Sequence, residues 1–160
     1  MQVNNGNYGQ QKYVSRPRRP VDKEITVQSD IYGTTQVTST IHTSTVAETF
    51  SGGHLSGFVG AGTGTTPNIV LIALCYVKEG QSVPTLSITD GSSIEPASSV
   101  LWSKMYRLLA ASQVLNIDSD DRPIKTMRKM QKGDSLVLTG ICTVSSGASI
   151  ALTTTFFYKQ

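Results

Sequence analysis

The sequence predicts an all-β body preceded by a short basic arm, and three observations lead to that fold class. First, 19 Ser and 19 Thr occupy 38 of the 160 residues, and with 14 Gly they favour strands and turns over helices. Second, strand-like runs alternate with turn residues from Glu24 onward. Third, residues 1–23 are polar and basic and follow no strand or helix period. We therefore divide the chain into an arm, 1–23, and one domain, 24–160.

Eight segments of the domain have strand character, and turn signals separate them. They are 24–32, 35–46, 54–60, 68–78, 83–89, 124–130, 135–144 and 149–159. Segment 68–78 is apolar on both faces and is predicted as a central strand. Segment 99–111 fits either an amphipathic helix or a strand, and both remain open. About eight strands with short connections are typical of a sandwich, a barrel or a jelly roll.

The positive charge is concentrated in the arm. Residues 1–23 carry five bases and one acid, a net charge of +4, whereas residues 24–160 carry nine bases and ten acids, a net charge of −1. Such an arm fits electrostatic contact with a polyanion, because arginine pairs with phosphate through two hydrogen bonds. The predicted nucleic-acid contacts are Lys12, Arg16, Arg18, Arg19 and Lys23. A solvated tail or a short nuclear-import signal is the alternative.

A second group of basic residues lies near residue 128. If 124–130 is a strand, Arg128 shares a face with Met130, and Lys125 shares the other face with Lys129. The second set of predicted phosphate contacts is Lys125, Arg128, Lys129 and Lys132. The alternative is an edge strand that its charges protect from aggregation.

Patterns for catalysis and metal binding are weak in this sequence. No Gly-x-Ser-x-Gly turn exposes a nucleophile, so we predict structural roles for His42 and His54 and no enzymatic activity. Cys75 and Cys142 lie in apolar runs and are predicted to be buried free thiols, with a disulfide as the alternative. The acidic loop 118–121 is predicted to be solvated, with Ca²⁺ binding as the alternative. We expect no metal and no cofactor.

Membrane and secretion signals are not predicted. The longest apolar run, 69–77, is shorter than the about 20 residues that span a bilayer. Met1 does not begin a signal-peptide pattern. We therefore expect synthesis inside the cell and no membrane partner.

Several short motifs of the domain occur in one order along the chain. They are TSTVAET at 43–49, IALCYV at 72–77 before EGQ at 79–81, TDG at 89–91 before EP at 95–96 and VLW at 100–102, IKTMRKMQKGDSLVL at 124–138, and FFYK at 156–159. In this order they resemble capsid proteins of small circular Rep-encoding single-stranded DNA viruses, the CRESS group. Segment 124–138 is the most specific, and the likeness covers roughly residues 40–160.

This resemblance implies a single eight-stranded jelly roll, a two-sheet sandwich, that self-assembles into an icosahedral shell of about 60 copies around circular single-stranded DNA. It implies genome contacts from the arm and from inward-facing bases, a host receptor bound by outward loops, and a place in the virion and, during assembly, the host nucleus. Many arms of that family carry more arginine, so Lys104 and Arg107 are further candidate contacts. The alternatives are a coat protein of a small satellite RNA virus and, in another class, a monomeric lectin-like jelly-roll module.

Overall fold

The computed structural model describes residues 21–31, 34–61, 67–88, 93–110, 112–118, 124, 127–144 and 147–159. These ranges contain eleven strands, one 3-10 turn (Ala97–Ser99) and no α-helix, which confirms the all-β class. The strands are β1 (Val21–Ile31), β2 (Val37–Thr43), β3 (Glu48–Ala61), β4 (Asn68–Val77), β5 (Thr85–Ser87), β6 (Ser93–Glu95), β7 (Val100–Leu108), β8 (Val114–Asp118), β9 (Arg128–Met130), β10 (Ser135–Cys142) and β11 (Ala148–Lys159). None of the described segments is a helix that could cross a membrane.

Two antiparallel sheets form a β-sandwich. The first sheet has the order β1-β11-β3-β8, and β9 adds to the same edge of β3 as β8. The second sheet has the order β2-β10-β4-β7. A separate two-stranded hairpin, β5–β6, completes the described strands. The main core lies between the sheets and takes large side chains from both, among them Phe50, Phe156, Ile72 and Leu74.

Strand β4 confirms the prediction for 68–78, since it lies between β10 and β7 and is buried along nearly its whole length. Its two faces are buried in different ways. Val70, Ile72 and Leu74 belong to the main core, whereas Leu71 and Ala73 pack in a second apolar cluster. A strand with both faces covered needs apolar residues at successive positions, which explains its unbroken apolar run.

Several predicted strand limits were wrong. Of the predicted strand 124–130, the structure describes a strand at Arg128–Met130 and an isolated bridge from Ile124 to Gly53, while 125 and 126 lie outside the described residues. Segment 99–111, left open between helix and strand, contains β7. Strands β6 and β8 were not predicted. Both are short, with three and five residues, so their sequences are too brief to establish a period.

The Gly52-Gly53 pair lies inside β3, although it falls between the predicted strands 35–46 and 54–60. A Cβ at Gly53 would overlap the Phe156 ring and lie 2.7 Å from the Thr155 carbonyl oxygen. Gly52 has a φ of +125°. The pair therefore permits a close approach between β3 and β11, next to an irregularity in their register.

The two cysteines are free and buried, as predicted. Cys142 lies in the main core and Cys75 in the second cluster, on the other side of the same sheet. In the register of β4 and β10, Cys75 is opposite Val137 and Cys142 is opposite Val70. Since the thiols are on opposite faces, the fold does not allow them to form a disulfide with each other.

Candidate nucleic-acid interface

The structure describes part of the predicted basic set. Lys12, Arg16, Arg18, Arg19 and Lys125 lie outside the described residues, and so does most of the acidic loop 118–121. Lys23 lies in β1, with its backbone opposite Phe156, and its side chain is not described. The predicted contacts with described side chains are Arg128, Lys129 and Lys132.

Alternation along β9 sets the exposure of its three side chains. Met130 is fully buried, Arg128 is half-buried and Lys129 is exposed. Lys129 lies opposite Thr49 of β3, and Thr49 in turn lies opposite Lys159 of β11. The predicted face with two lysines, Lys125 and Lys129, is thus described only at Lys129. Lys159 was not among the predicted contacts, because single-strand periodicity gives no information about which strands pair.

Arg128 links the edge of the first sheet to the second sheet. Its Nη2 donates a hydrogen bond to the Ser98 carbonyl oxygen at 2.8 Å. Its guanidinium carbon is 5.1 Å from the centre of the Tyr76 ring of β4, within the range of a cation–π contact. The guanidinium is therefore held in one place, in contrast to the exposed Lys129 and Lys132.

Asp134 organises the turn that carries Lys132. Its carboxylate accepts hydrogen bonds from the Tyr76 hydroxyl (2.6 Å), the Gln131 N–H (2.8 Å) and the Glu79 N–H (3.1 Å). Burial alone would raise the pKa of Asp134, but these hydrogen bonds outweigh it and lower the pKa below its ordinary value. Burial and the contact with Asp134 raise the pKa of Tyr76 to about 12. The hydrogen bond from Tyr76 to Asp134 thereby holds in place the ring that contacts the Arg128 guanidinium.

Strand β1 begins at Val21, inside the predicted arm 1–23, and this start lies at the end of the sandwich that carries these bases. Val21, the first residue of β1, lies opposite Tyr158 of β11, Tyr158 lies opposite Phe50 of β3, and Phe50 lies opposite Arg128. These four residues form one row across four strands. At about 4.8 Å per strand spacing, Val21 is about 14 Å from Arg128. No pattern in the sequence indicated this juxtaposition, since it depends on three long-range strand pairings.

Lys104 and Arg107 do not join this group. Arg107 lies opposite Ile69 of β4, seven residues from Tyr76, which corresponds to about 23 Å along the strand. Lys104 stands over the Tyr106 ring, with its amine 5.2 Å from the ring centre. Lys104 and Arg107 are three residues apart in the edge strand β7 and therefore lie on opposite faces, so they do not extend one continuous basic surface.

His42 contacts a carboxylate and an aromatic ring of the sandwich. Its Nε2 is 2.5 Å from Glu48 Oε1, and the Ser44 hydroxyl donates to the same carboxylate oxygen at 2.5 Å. The His42 ring also packs 4.7 Å from that of Tyr158. Ser44 is bonded to the carboxylate and not to the imidazole in these contacts, so they do not activate a serine nucleophile. Among the described residues, no group of three or more His, Cys, Asp or Glu side chains is placed to hold a metal ion.

No family model matches the chain, and no curated protein matches it. Solved structures with some similarity include a Bacillus endospore appendage, from a family of disulfide-linked pili, at 12% identity and a TM-score of 0.38 over 100% of both chains. They also include dimeric latent PorU from Porphyromonas gingivalis (7% identity, TM-score 0.42, 89% of this chain) and infectious bursal disease virus Gx strain (16%, 0.36, 88%). The chain spans only 13% and 36% of the latter two. Similarity at these TM-scores carries no functional implication.

Proposed function

We propose that this chain is a viral capsid protein that self-assembles into a small icosahedral shell and packages circular single-stranded DNA. The order of the strands supports the jelly-roll part of this proposal. Without the short strands β5, β6 and β9, eight strands remain. The first sheet then takes the first, eighth, third and sixth along the chain, and the second takes the second, seventh, fourth and fifth. Nested antiparallel pairing of this kind is expected of a jelly roll, a fold common in viral capsids and also found in lectins.

The observation that carries the proposal is the row from Val21 to Arg128. It joins the arm, whose net positive charge lies entirely in residues 12–19, to the end of the sandwich that presents Lys129 and Lys132. A basic arm and exposed basic side chains at one end favour contact with a phosphate backbone on one side of the subunit. Such contacts position a nucleic acid and carry little sequence preference.

Exposed apolar side chains support self-association. Among the residues whose side chains are described, six large hydrophobic ones are between 44% and 70% exposed: Val46, Phe58, Met105, Leu109, Val114 and Met127. Contact between copies would remove part of this surface from water. In this proposal the protein resides in the virion and, during assembly, in the host nucleus, with its receptor on the host bound by outward loops.

The test is electron microscopy of the purified full-length chain, with the 260/280 nm absorbance ratio read after nuclease treatment. We expect closed, uniform particles that hold protected nucleic acid. Digestion of the extracted nucleic acid by DNase supports the DNA virus, and digestion by RNase alone favours the satellite RNA virus. A monomer across a range of salt and pH would contradict assembly and favour the lectin-like module.

A charge variant separates packaging from assembly. Replacing Lys12, Arg16, Arg18 and Arg19 by Gln is expected to leave particles that are empty or much poorer in nucleic acid, because it removes most of the arm's charge. The matched control replaces the three arginines by Lys and preserves that charge. Full packaging by the Gln variant would show that the arm does not package the genome.

A further inference from the structure

A cavity of about 310 Å³ lies beside Arg128, at the end of the sandwich where the arm joins. Its volume is at the lower end of the range of ligand pockets, about 300–1,000 Å³. Three parts of the chain line it: the segment after β4, the 3-10 turn and β9. The polar side chains among the lining residues are Lys78, Gln81, Ser98, Ser99 and Arg128, with Tyr76 at the end of β4.

The charge of this cavity is positive. Among the described lining residues, Arg128 and Lys78 contribute two cations and none is a carboxylate. The carboxylate of Asp134 lies nearby, accepts three hydrogen bonds and interacts electrostatically with Lys78, so it offsets part of this charge. The amide of Gln81 and the hydroxyls of Ser98 and Ser99 add uncharged donors. The lining therefore favours an anion with several oxygen acceptors over a cation or a neutral apolar group.

The guanidinium of Arg128 is already held in position before such a ligand binds. The Tyr76 ring and the Ser98 carbonyl hold it, so little side-chain freedom remains to be lost on binding. One hydrogen bond from Nη2 is used, and Nε is buried without a partner among the described residues. The remaining N–H groups belong to the two terminal nitrogens of Arg128. Because Arg128 lines the cavity, these groups suit paired contacts with phosphate oxygens.

We propose that this cavity is a binding site for one phosphate group, with Arg128 and Lys78 as its charged contacts. Donors from three chain segments surround the space, which suits the tetrahedral oxygens of phosphate better than the two oxygens of a planar carboxylate. The phosphate has two possible sources, a nucleic-acid backbone and free inorganic phosphate. Its assignment to nucleic acid rests on the proposed function, whereas the site itself does not.

The first measurement is calorimetric titration of inorganic phosphate into the full chain, freed of nucleic acid by nuclease and high salt. We expect saturable binding that sodium chloride at equal ionic strength does not reproduce. Arg128→Met is expected to weaken binding about tenfold or more, because it removes the charged donors that are held in place. Lys78→Met is expected to weaken it about threefold or more.

The control is Arg107→Met, which removes an exposed charge on β7, outside the lining and about 23 Å along β4 from Tyr76, and is expected to change the affinity less than about twofold. If Arg128→Met does not fold, Lys78→Met decides the outcome, since Lys78 is exposed and its loss leaves the sandwich intact. The absence of saturable binding would overturn the site. An equal loss of affinity in Lys78→Met and Arg107→Met would also overturn it, because it would indicate diffuse attraction.

A second titration, with a short oligothymidylate, identifies the source of the phosphate. If Lys78→Met weakens both ligands, a nucleic-acid phosphate occupies the site. If it weakens only inorganic phosphate, the ligand is the free ion, and the site still stands. Failure of the proposed function would appear separately, as the absence of particles with protected nucleic acid, and would leave the phosphate titration unchanged.

Discussion

The two sheets share one core, but their outward faces differ. On the second sheet, Leu71, Ala73 and Cys75 of β4 are turned away from the main core and are nevertheless buried, because the β5–β6 hairpin covers them. On the first sheet, Phe58 and Val114 remain 44% and 58% exposed. The comparison shows that the same sandwich has one covered outer face and one open outer face.

The strand sequences account for this difference. Outward positions of β11 include Ser149, Thr153 and Thr155, whose hydroxyls tolerate water while their backbones favour a strand. The corresponding positions of β4 are Leu71, Ala73 and Cys75, which need a cover. The hairpin supplies it with Leu86, which is buried, and with side chains such as Ile94.

The largest effect is expected from Leu86→Ala, which removes the buried contact of the hairpin with the second sheet. The free energy of unfolding should fall by about 2–4 kcal/mol, from lost burial and the cavity left behind. Urea denaturation measures this change. Leu109→Ala is the matched control, since Leu109 is 60% exposed and its loss should cost less than about 0.5 kcal/mol.

The same variant should also expose Cys75. Burial raises the pKa of the Cys75 thiol to about 11, so the native thiol should react slowly with a disulfide reagent at pH 8. In Leu86→Ala, Cys75 should react faster while Cys142, in the main core, stays slow. Mapping the modified cysteine by mass spectrometry distinguishes the two. Equal reaction of both thiols would mean that the variant opens the whole sandwich, and the distinction between the two clusters would be wrong.

A smaller effect is expected from Gln36→Ala, because Gln36 ties the hairpin to the sheet through polar contacts. Its Nε2 donates to the Pro84 carbonyl oxygen and to Thr139 Oγ1, each at 2.8 Å, and its Oε1 accepts from the Leu86 N–H at 3.0 Å. Removing these bonds should cost about 1–2 kcal/mol. Hydrogen exchange at the Leu86 amide should accelerate.

The control for this change is Gln131→Ala. Gln131 is exposed in the turn before β10, and its hydrogen bond to the Asp134 carboxylate comes from the backbone N–H, which the substitution keeps. It should alter stability by less than about 0.5 kcal/mol. If the Leu86 amide in Gln36→Ala exchanges at the same rate as in the unsubstituted chain, apolar contacts alone hold the cover in place.

The covered face also shows how far sequence reasoning extends. The apolar run of β4 predicted a central strand correctly, because burial of both faces is visible in the order of residues. The hairpin that covers it was predicted only in part, since β5 and β6 have three residues each. Which strand supplies a cover depends on contacts such as Gln36 with Thr139, 103 residues away.

The candidate interface was limited in the same way. The alternation of side chains along a strand predicted that Arg128 and Met130 share one face. The structure agrees, with Met130 buried and Arg128 half-buried. This alternation did not indicate that the Arg128 guanidinium would contact Tyr76, or that Lys78 and Arg128 would line the same cavity. Basic residues can be counted in a sequence, but their convergence depends on strand pairing.

The smallest effect is expected from Phe58→Ser, on the open face of the first sheet. Because Phe58 is already 44% exposed, the change should lower the free energy of unfolding by less than about 1 kcal/mol, measured in urea on dissociated protein. Leu86→Ala, which shortens an apolar side chain on the covered face, should cost at least twice as much. An equal loss in the two variants would mean that the outward face of the first sheet is covered within the subunit, and the contrast between the two faces would no longer hold. A small loss would show that Phe58 contributes little to the stability of the single chain. Its exposed apolar ring would then be available for contact with another copy.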